Sequence, residues 1–339
     1  MCCASSATPS ARWCASIVAG TPVNSPAQTA AATPRQPERS RSPPSELGWW
    51  EEVAFGYNGA MSFAQTVPAL PMRDGHHSPQ LGFGVFQVPP ADTQRAVSLA
   101  LEAGYRHIDT AAAYRNEAGV GEAIRASGLP REQVFVTTKC WNDDQGREES
   151  RRAFEASLTR LGLEYVDLYL IHWPVPAHDR YLDTWRTFID LNQEGLARSI
   201  GVSNFKAEHL RRIIDETGHT PAVNQIELHP RLAQPEMRTL HEELGILTES
   251  WSPLAQGLVL DHPTITEIAE HHQRTPAQVV IRWHLQLGLV VIPKSVTPAR
   301  VSENFDVFGF SLSDEEVGAI DMLDVAQRTG PDPDTFIRP

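Results

Sequence analysis

The feature that most constrains the fold of this chain is a regular alternation of apolar strand-like segments with amphipathic helical segments. The alternation begins at Val67 and continues through the C-terminal half of the chain. Apolar, β-branched runs predict eight buried strands, and helical periodicity predicts a helix between most of them. The strands are predicted near residues 81–86, 106–109, 134–139, 166–172, 198–203, 222–227, 246–251 and 289–293.

Eight strands with intervening helices in about 270 residues match the size and rhythm of a (β/α)8 TIM barrel, which is an α/β fold. A doubly wound open sheet is the alternative, because it shows the same alternation. Apolar residues recur at helical spacing within 147–161, and Thr275 and Ser313 begin capping boxes. Two short runs on either side of Asp74-Gly75 predict an N-terminal β-hairpin before the barrel.

Residues 1–60 differ in composition from the rest of the chain. They are rich in Ala, Ser, Pro and Thr, show no helical or strand periodicity, and carry four Arg against four Glu. We expect a disordered low-complexity extension there, followed by the barrel domain over 61–339. Our hypothesis is that Met61 is the true start, and a native chain whose intact mass includes residues 1–60 would contradict it.

The charge and the cysteines limit the classes of function. The net charge of −13 argues against a nucleic-acid partner or an anionic membrane surface, and no apolar run approaches the roughly 20 residues of a membrane span. Three of the four cysteines lie within the first 14 residues and Cys140 stands alone, which is no disulfide framework. We therefore expect a cytoplasmic monomer, with Cys140 in a structural role.

Polar residues follow nearly every predicted strand. In a parallel barrel the chemistry lies at the C-terminal ends of the strands. The residues found there are Asp109, Lys139, His172, Ser203, Asn204, Gln225, Glu227, Trp251, Ser252, Lys294 and Ser295. Strand ends also become polar simply because they approach solvent, but this explains serines better than a lysine, a histidine and a tryptophan. Tyr114 lies only five residues after Asp109, close enough to share a pocket with it.

Several long motifs occur in order along the chain. They are 104–111 (GYRHIDTA) with Tyr114 and 116–121 (NEAGVG), 161–174 (LGLEYVDLYLIHWP), 200–205 (IGVSNF), 223–230 (VNQIELHP), and 292–298 (IPKSVTP) with Arg300, Glu303 and Asn304. From about Val67 to Phe336 the chain resembles the aldo-keto reductases, and within them the bacterial 2,5-diketo-D-gluconate reductase-like group. Residues 1–60 lie outside the resemblance.

The resemblance implies a barrel that binds NADPH without a Rossmann fold and reduces a small-molecule carbonyl substrate. It places the catalytic roles on Tyr114, Lys139, Asp109 and His172. Tyr114 would protonate the developing alkoxide, Lys139 would lower the pKa of the phenol, Asp109 would hold Lys139, and a neutral His172 would orient the carbonyl. The sequence agrees on the cofactor fold, because it has no complete dinucleotide fingerprint.

The resemblance also implies the binding residues. The cofactor positions are Ser203, Asn204, Gln225, Trp251, Ser252, Lys294, Ser295, Val296, Arg300, Glu303 and Asn304. Trp251 would stack on the nicotinamide, and Arg300 would pair with the 2′-phosphate and favour NADPH or NADP+ over NADH. The substrate positions are Phe86, Trp141, His172 and Trp173, and the loop after Trp251 and the tail 333–336 would complete the wall.

Two other functions remain open at this point. A Schiff-base aldolase could use Lys139 as its nucleophile, and a non-catalytic barrel could bind NADPH as a sensor or a structural protein. No metal site is expected, because adjacent histidines such as His76–His77 and His271–His272 point away from a common ligand position.

Overall fold

A computed structural model describes residues 67–337 of the chain. The extension predicted over residues 1–60 lies outside the described residues, so its disorder and the start at Met61 stay predictions. No helix among residues 67–337 has the length and apolar character that a bilayer crossing needs.

The described residues form ten strands and ten α-helices. The strands are β1 (Ala69–Pro71), β2 (His77–Pro79), β3 (Phe83–Gly84), β4 (His107–Asp109), β5 (Phe135–Cys140), β6 (Val166–Ile171), β7 (Ala197–Ser203), β8 (Val223–Glu227), β9 (Leu247–Trp251) and β10 (Val290–Val291). The helices are α1 (Pro90–Ala103), α2 (Glu117–Ser127), α3 (Arg147–Leu161), α4 (Tyr181–Gln193), α5 (Ala207–Thr217), α6 (Pro235–Leu244), α7 (Pro263–His272), α8 (Pro276–Gln286), α9 (Pro298–Phe305) and α10 (Asp314–Asp321).

The eight strands from β3 to β10 form one parallel sheet in which neighbours in space are neighbours in sequence. A doubly wound sheet reverses its strand order at a switch point, so the open-sheet alternative is wrong and the (β/α)8 prediction is confirmed. The sheet closes where Leu81 bridges Val291, and the Gly82 amide donates to the Val291 carbonyl oxygen at 2.9 Å.

The closing strands are the shortest in the barrel, two residues each instead of the five or six predicted. Close packing at this seam requires glycine. A Cβ atom on Gly82 would lie 2.9 Å from Ile292 Cγ2, and one on Gly84 would lie 3.2 Å from the carbonyl oxygen of Ile292. Pro293 has no amide hydrogen, so it cannot extend the ladder after β10 as a donor.

The predicted hairpin is present as the antiparallel pair β1 and β2, joined through Gly75 with φ +89°. Hairpin residues line a cavity of about 200 Å³ together with Arg106, Phe135 and Arg198, which lie at the N-terminal ends of barrel strands. The hairpin therefore covers the N-terminal end of the barrel. The predicted capping boxes at Thr275 and Ser313 are both formed.

Candidate active site

Three neighbouring strands bring an acid, an amine and an imidazole to the C-terminal mouth of the barrel. Asp109 ends β4, Lys139 is the penultimate residue of β5, and His172 directly follows β6. Tyr114 ends a short 3₁₀ helix, Ala112–Tyr114, in the loop after β4. The four side chains proposed from sequence as one site thus lie at the same rim.

Lys139 is held by a closed set of hydrogen bonds. Its ammonium donates to both carboxylate oxygens of Asp109, each at 2.7 Å, and to the Thr110 carbonyl oxygen at 2.9 Å. These three acceptors use all three donors of the ammonium. Lys139 is 0% exposed and Asp109 is 2% exposed, so the pair is shielded from water and its geometry is fixed by the fold.

Tyr114 packs between the rings of Phe86 and His172. Its ring centroid lies 5.0 Å from that of Phe86 and 5.6 Å from that of His172, and Lys139 Nζ lies 5.2 Å from it. The pKa of Tyr114 is not lowered overall, although Lys139 lies nearby. Burial raises that pKa well above its ordinary value, and the negative charges of Asp109 and Glu249 raise it further.

The surroundings of His172 favour the neutral imidazole that was expected from the sequence. Burial lowers its pKa well below the ordinary value, and the positive charge of Lys139 lowers it further. Its Nδ1 has no hydrogen-bond partner among residues 67–337. The Trp141 ring lies edge-on to it, with ring centroids 5.0 Å apart.

Gln225 links the Asp109–Lys139 pair to a second buried acid. Its amide nitrogen donates to Asp109 Oδ2 at 2.8 Å and to Glu249 Oε1 at 2.9 Å. Burial and the charge of Asp109 raise the Glu249 pKa to about 8. Glu249 was not predicted as a site residue, although an acid within the predicted strand 246–251 is itself the signal that a buried polar group needs a function or a partner.

The residues proposed for the nicotinamide side of the cofactor form a hydrogen-bonded row. Ser203 Oγ donates to the Gln225 carbonyl oxygen at 2.9 Å. The Asn204 amide nitrogen donates to Ser203 Oγ at 3.0 Å and to the His172 carbonyl oxygen at 2.9 Å. Asn204 has a φ of +64°, a conformation that asparagine tolerates better than most residues.

Trp251 is tied to this row and to the C-terminal tail. Its indole nitrogen donates to Asn204 Oδ1 at 2.9 Å. A Cβ atom on Gly330 would lie 2.4 Å from the Trp251 ring, so the tail backbone packs directly on the indole. Ser252 directly follows Trp251 and is the last of the residues proposed for the nicotinamide side. It is half-buried and has a φ of +53°.

The residues proposed for the cofactor phosphates and adenine lie after β10 and on α9. Lys294 and Arg300 are exposed, and neither makes an ion pair or side-chain hydrogen bond with another residue among 67–337. Ser295 Oγ accepts a hydrogen bond from the Thr297 amide at 3.2 Å. In the same stretch Val296 is 50% exposed, Glu303 is half-buried and Asn304 is buried.

Aromatic rings line the mouth beside Tyr114 and His172. Phe86 is 54% exposed, Trp141 is half-buried and Trp173 is buried. Phe336 from the C-terminal tail packs on Trp173 with ring centroids 4.3 Å apart, and lies 6.2 Å from Trp141. The tail therefore reaches the wall, as the resemblance implied.

A family model described as the aldo/keto reductase family matches residues 80–325. The chain belongs to the aldo/keto reductase family.

Similar proteins agree with this assignment. An aldo-keto reductase of Mycolicibacterium smegmatis is 58% identical over 269 residues, which cover 79% of this chain and 98% of that protein. The protein named methylglyoxal reductase DkgA of Escherichia coli K12 is 54% identical over 269 residues, covering 79% of this chain and 97% of its own. A crystal structure of a Gox0644 mutant in complex with NADPH is 49% identical, with a TM-score of 0.78, covering 81% of this chain and all of that one.

A buried carboxylate fastens the C-terminal tail of this aldo/keto reductase. Glu227 Oε1 accepts hydrogen bonds from the Thr329 amide at 2.5 Å, the Thr329 hydroxyl at 2.6 Å and the Gly330 amide at 3.0 Å. It also contacts His229 Nε2 at 3.2 Å. Burial alone would raise the Glu227 pKa, but these hydrogen bonds hold it below its ordinary value. Sequence analysis had named Glu227 only as a strand-end residue.

Two remaining expectations concern residues outside the reductase mouth. The expectation that His271 and His272 point apart is wrong, because both rings lie within 3.0 Å of Glu316 carboxylate oxygens across α7 and α10. Cys140 is buried, which raises the pKa of its thiol and fits the structural role expected for it.

Proposed function

We propose that this chain is an NADPH-dependent reductase that converts aldehydes and ketones to alcohols. The observation that carries the proposal is the juxtaposition of Tyr114, the Asp109–Lys139 pair and a neutral His172 at one rim of the barrel. A phenol beside a fixed ammonium and a neutral imidazole is suited to protonating a carbonyl oxygen as negative charge develops on it.

Each of the four residues has a separate part in this chemistry. Tyr114 donates its hydroxyl proton to the carbonyl oxygen of the substrate. Lys139 stabilises the phenolate that remains, and Asp109 keeps that ammonium charged and at a fixed position. His172 hydrogen-bonds the same oxygen through its ring and orients the carbonyl toward Tyr114. General acid catalysis of this kind contributes roughly 10²–10⁴-fold to the rate.

The residues at the mouth fit a dinucleotide phosphate. Two cations with no protein partner among the described residues, Lys294 and Arg300, lie on the exposed stretch after β10, where phosphate groups would neutralise them. Trp251 offers an indole, and Ser203, Asn204 and Gln225 offer the amide and hydroxyl groups that a carboxamide needs. NADPH bound there supplies the hydride. The NADPH complex of the 49% identical Gox0644 mutant supports this assignment.

We further propose that the substrate is a small dicarbonyl such as methylglyoxal. Close relatives carry the name methylglyoxal reductase. The wall formed by Phe86, Trp141, Trp173 and Phe336 is made of aromatic rings, which offer few polar groups to recognise the hydroxyls of a large sugar. The protein is expected to act as a cytoplasmic monomer.

A Schiff-base aldolase is disfavoured by the state of Lys139. Its three donors are occupied by Asp109 and Thr110, and a paired, charged amine is a poor nucleophile. A non-catalytic barrel gives no reason for Tyr114 and His172 to meet at the solvent-accessible mouth. Both alternatives predict no NADPH consumption, and the aldolase also predicts covalent trapping of substrate on Lys139 by borohydride.

The test is NADPH consumption by the purified chain with a panel of methylglyoxal, sugar-derived dicarbonyls and aromatic aldehydes. We expect turnover, with kcat/KM highest for the small dicarbonyl, and alcohol formed in equal amount to the NADPH consumed. If the chain binds NADPH but consumes none with any carbonyl, the reductase proposal is contradicted and the non-catalytic function is favoured. Preference for NADH would contradict the cofactor assignment.

A further inference from the structure

Glu249 is a buried acid in the barrel interior for which the proposed reaction has no direct use. It lies at the centre of β9, between strands β8 and β10, and is 0% exposed. One oxygen, Oε1, accepts from the Gln225 amide nitrogen at 2.9 Å. The other, Oε2, is buried and has no hydrogen-bond partner among residues 67–337.

The surroundings of Glu249 are short of positive charge. The charged groups that act on it are Asp109 on β4 and Lys139 on β5, and Lys139 is already paired with Asp109. From β8 it meets the neutral Gln225, and its register partner on β10 is the apolar Val290. Two ionised carboxylates would thus share one ammonium in a water-excluded site, which is unfavourable unless one of them is neutral.

We propose that Glu249 is a positioning residue that carries a proton at neutral pH and controls the acidity of Tyr114 through the Gln225–Asp109–Lys139 network. The proposal rests on the proposed function, because it gives Glu249 a part in the same proton transfer. Asp109 accepts two hydrogen bonds from Lys139 and one from Gln225, so its carboxylate is the better compensated of the two. Glu249, with a single amide donor, is the partner that takes the proton.

The electrostatic consequence has a definite sign. Ionised Glu249 raises the pKa of Tyr114, so a neutral Glu249 leaves the phenol more acidic. As pH rises through about 8, Glu249 loses its proton and Tyr114 becomes a weaker donor. Carbonyl reduction should then fall on the alkaline side, well before Tyr114 itself ionises.

The first experiment compares the pH dependence of kcat/KM for methylglyoxal reduction in wild type and Glu249→Gln. Glutamine keeps the shape of the side chain and an oxygen for Gln225, but it cannot ionise. We expect an alkaline decline near pH 8 in wild type that moves upward by at least about one unit in the variant. Glu243→Gln, an exposed residue of α6, is the matched control and should keep the wild-type profile. An identical decline in Glu249→Gln would overturn the proposal.

The second experiment does not depend on activity. Infrared spectra of the wild-type protein without NADPH, at about pH 6, should show the carbonyl stretch of a buried protonated carboxyl group, which disappears as pH rises through about 8. The band should be absent from Glu249→Gln. If that variant does not fold, the band of the wild-type protein should instead shift on ¹³C-glutamate labelling. Absence of the band in wild type would overturn the proposal. If the band is present but the protein reduces no carbonyl, the proposed reductase function is contradicted, whereas the protonation of Glu249 is supported.

Discussion

The barrel centre and the rim after β10 are built in opposite ways. At the centre, Asp109, Lys139 and Gln225 are buried, and Asp109 accepts hydrogen bonds from both of the others. On the rim, Lys294 and Arg300 are exposed and have no ion pair with any residue that the structure describes. The charged groups at the centre are therefore held by hydrogen bonds, whereas the two cations on the rim are available to a ligand.

This difference in burial and pairing indicates that the centre is suited to proton transfer and the rim to cofactor binding. Proton transfer gains from groups that need no reorganisation when charge develops, and the buried centre meets this requirement. Binding a charged cofactor from water gains from cations that are not already neutralised by the protein, and the rim provides them. Mutations should accordingly affect turnover at the centre and cofactor affinity at the rim.

The largest effect is expected for Lys139→Met. It should remove reduction by at least about 10²-fold, and it should lower the free energy of unfolding by about 3–5 kcal/mol because Asp109 stays buried without its partner. Activity and denaturant unfolding measured on the same preparation check both parts. The double variant Asp109→Asn, Lys139→Met should recover most of the stability and none of the activity. Recovery of both would mean that the pair is only structural.

A smaller effect, confined to cofactor binding, is expected for Arg300→Ala. Loss of one charge-assisted contact to a phosphate should weaken NADPH binding by about 10–100-fold, with little change for NADH. Fluorescence titration with each cofactor measures this. Arg211→Ala removes an equally exposed arginine from α5 and should change neither affinity. Equal losses for NADPH and NADH would remove the 2′-phosphate role.

The smallest effect is expected for Glu227→Gln, because Glu227 holds the C-terminal tail whose Phe336 packs on Trp173 at the mouth. A neutral amide accepts weaker hydrogen bonds from Thr329 and Gly330 than a carboxylate does. The tail should loosen, and KM for the carbonyl should rise roughly three- to tenfold while kcat changes little. Steady-state kinetics and hydrogen exchange over 328–336 measure both effects, with Glu243→Gln as the control. Unchanged exchange would show that other contacts hold the tail.

Much of this arrangement follows from local sequence, and some of it does not. The strand β6 and the helix α3 were predictable because long apolar periodicity specifies them. The lengths of strands β3 and β10 were overestimated, because closure of the seam depends on Leu81 and Gly82 meeting Val291, about 200 positions later in the sequence. Pairing across a barrel is a long-range property that periodicity does not contain.

The same reason explains the site residues that were misread. Glu249 and Gln225 meet only after two strands align, and Glu227 meets Thr329 across about a hundred positions of sequence. The net direction of the Tyr114 pKa was not predictable, because the sequence shows that Lys139 is near, but not how deeply the phenol is buried or that Asp109 and Glu249 lie close to it. Distances between elements, rather than residue types, decide these cases.

The most direct test of the central claim is a comparison of Tyr114→Phe with wild type in one preparation each, by NADPH titration and by single-turnover reduction of methylglyoxal. Tyr165→Phe removes a hydroxyl at the N-terminal end of the barrel and serves as the matched control. The account predicts that Tyr114→Phe binds NADPH as wild type does, yet reduces the carbonyl at least about 10²-fold more slowly. A variant that reduces methylglyoxal at the wild-type rate would contradict it, because the proton would then come from another group.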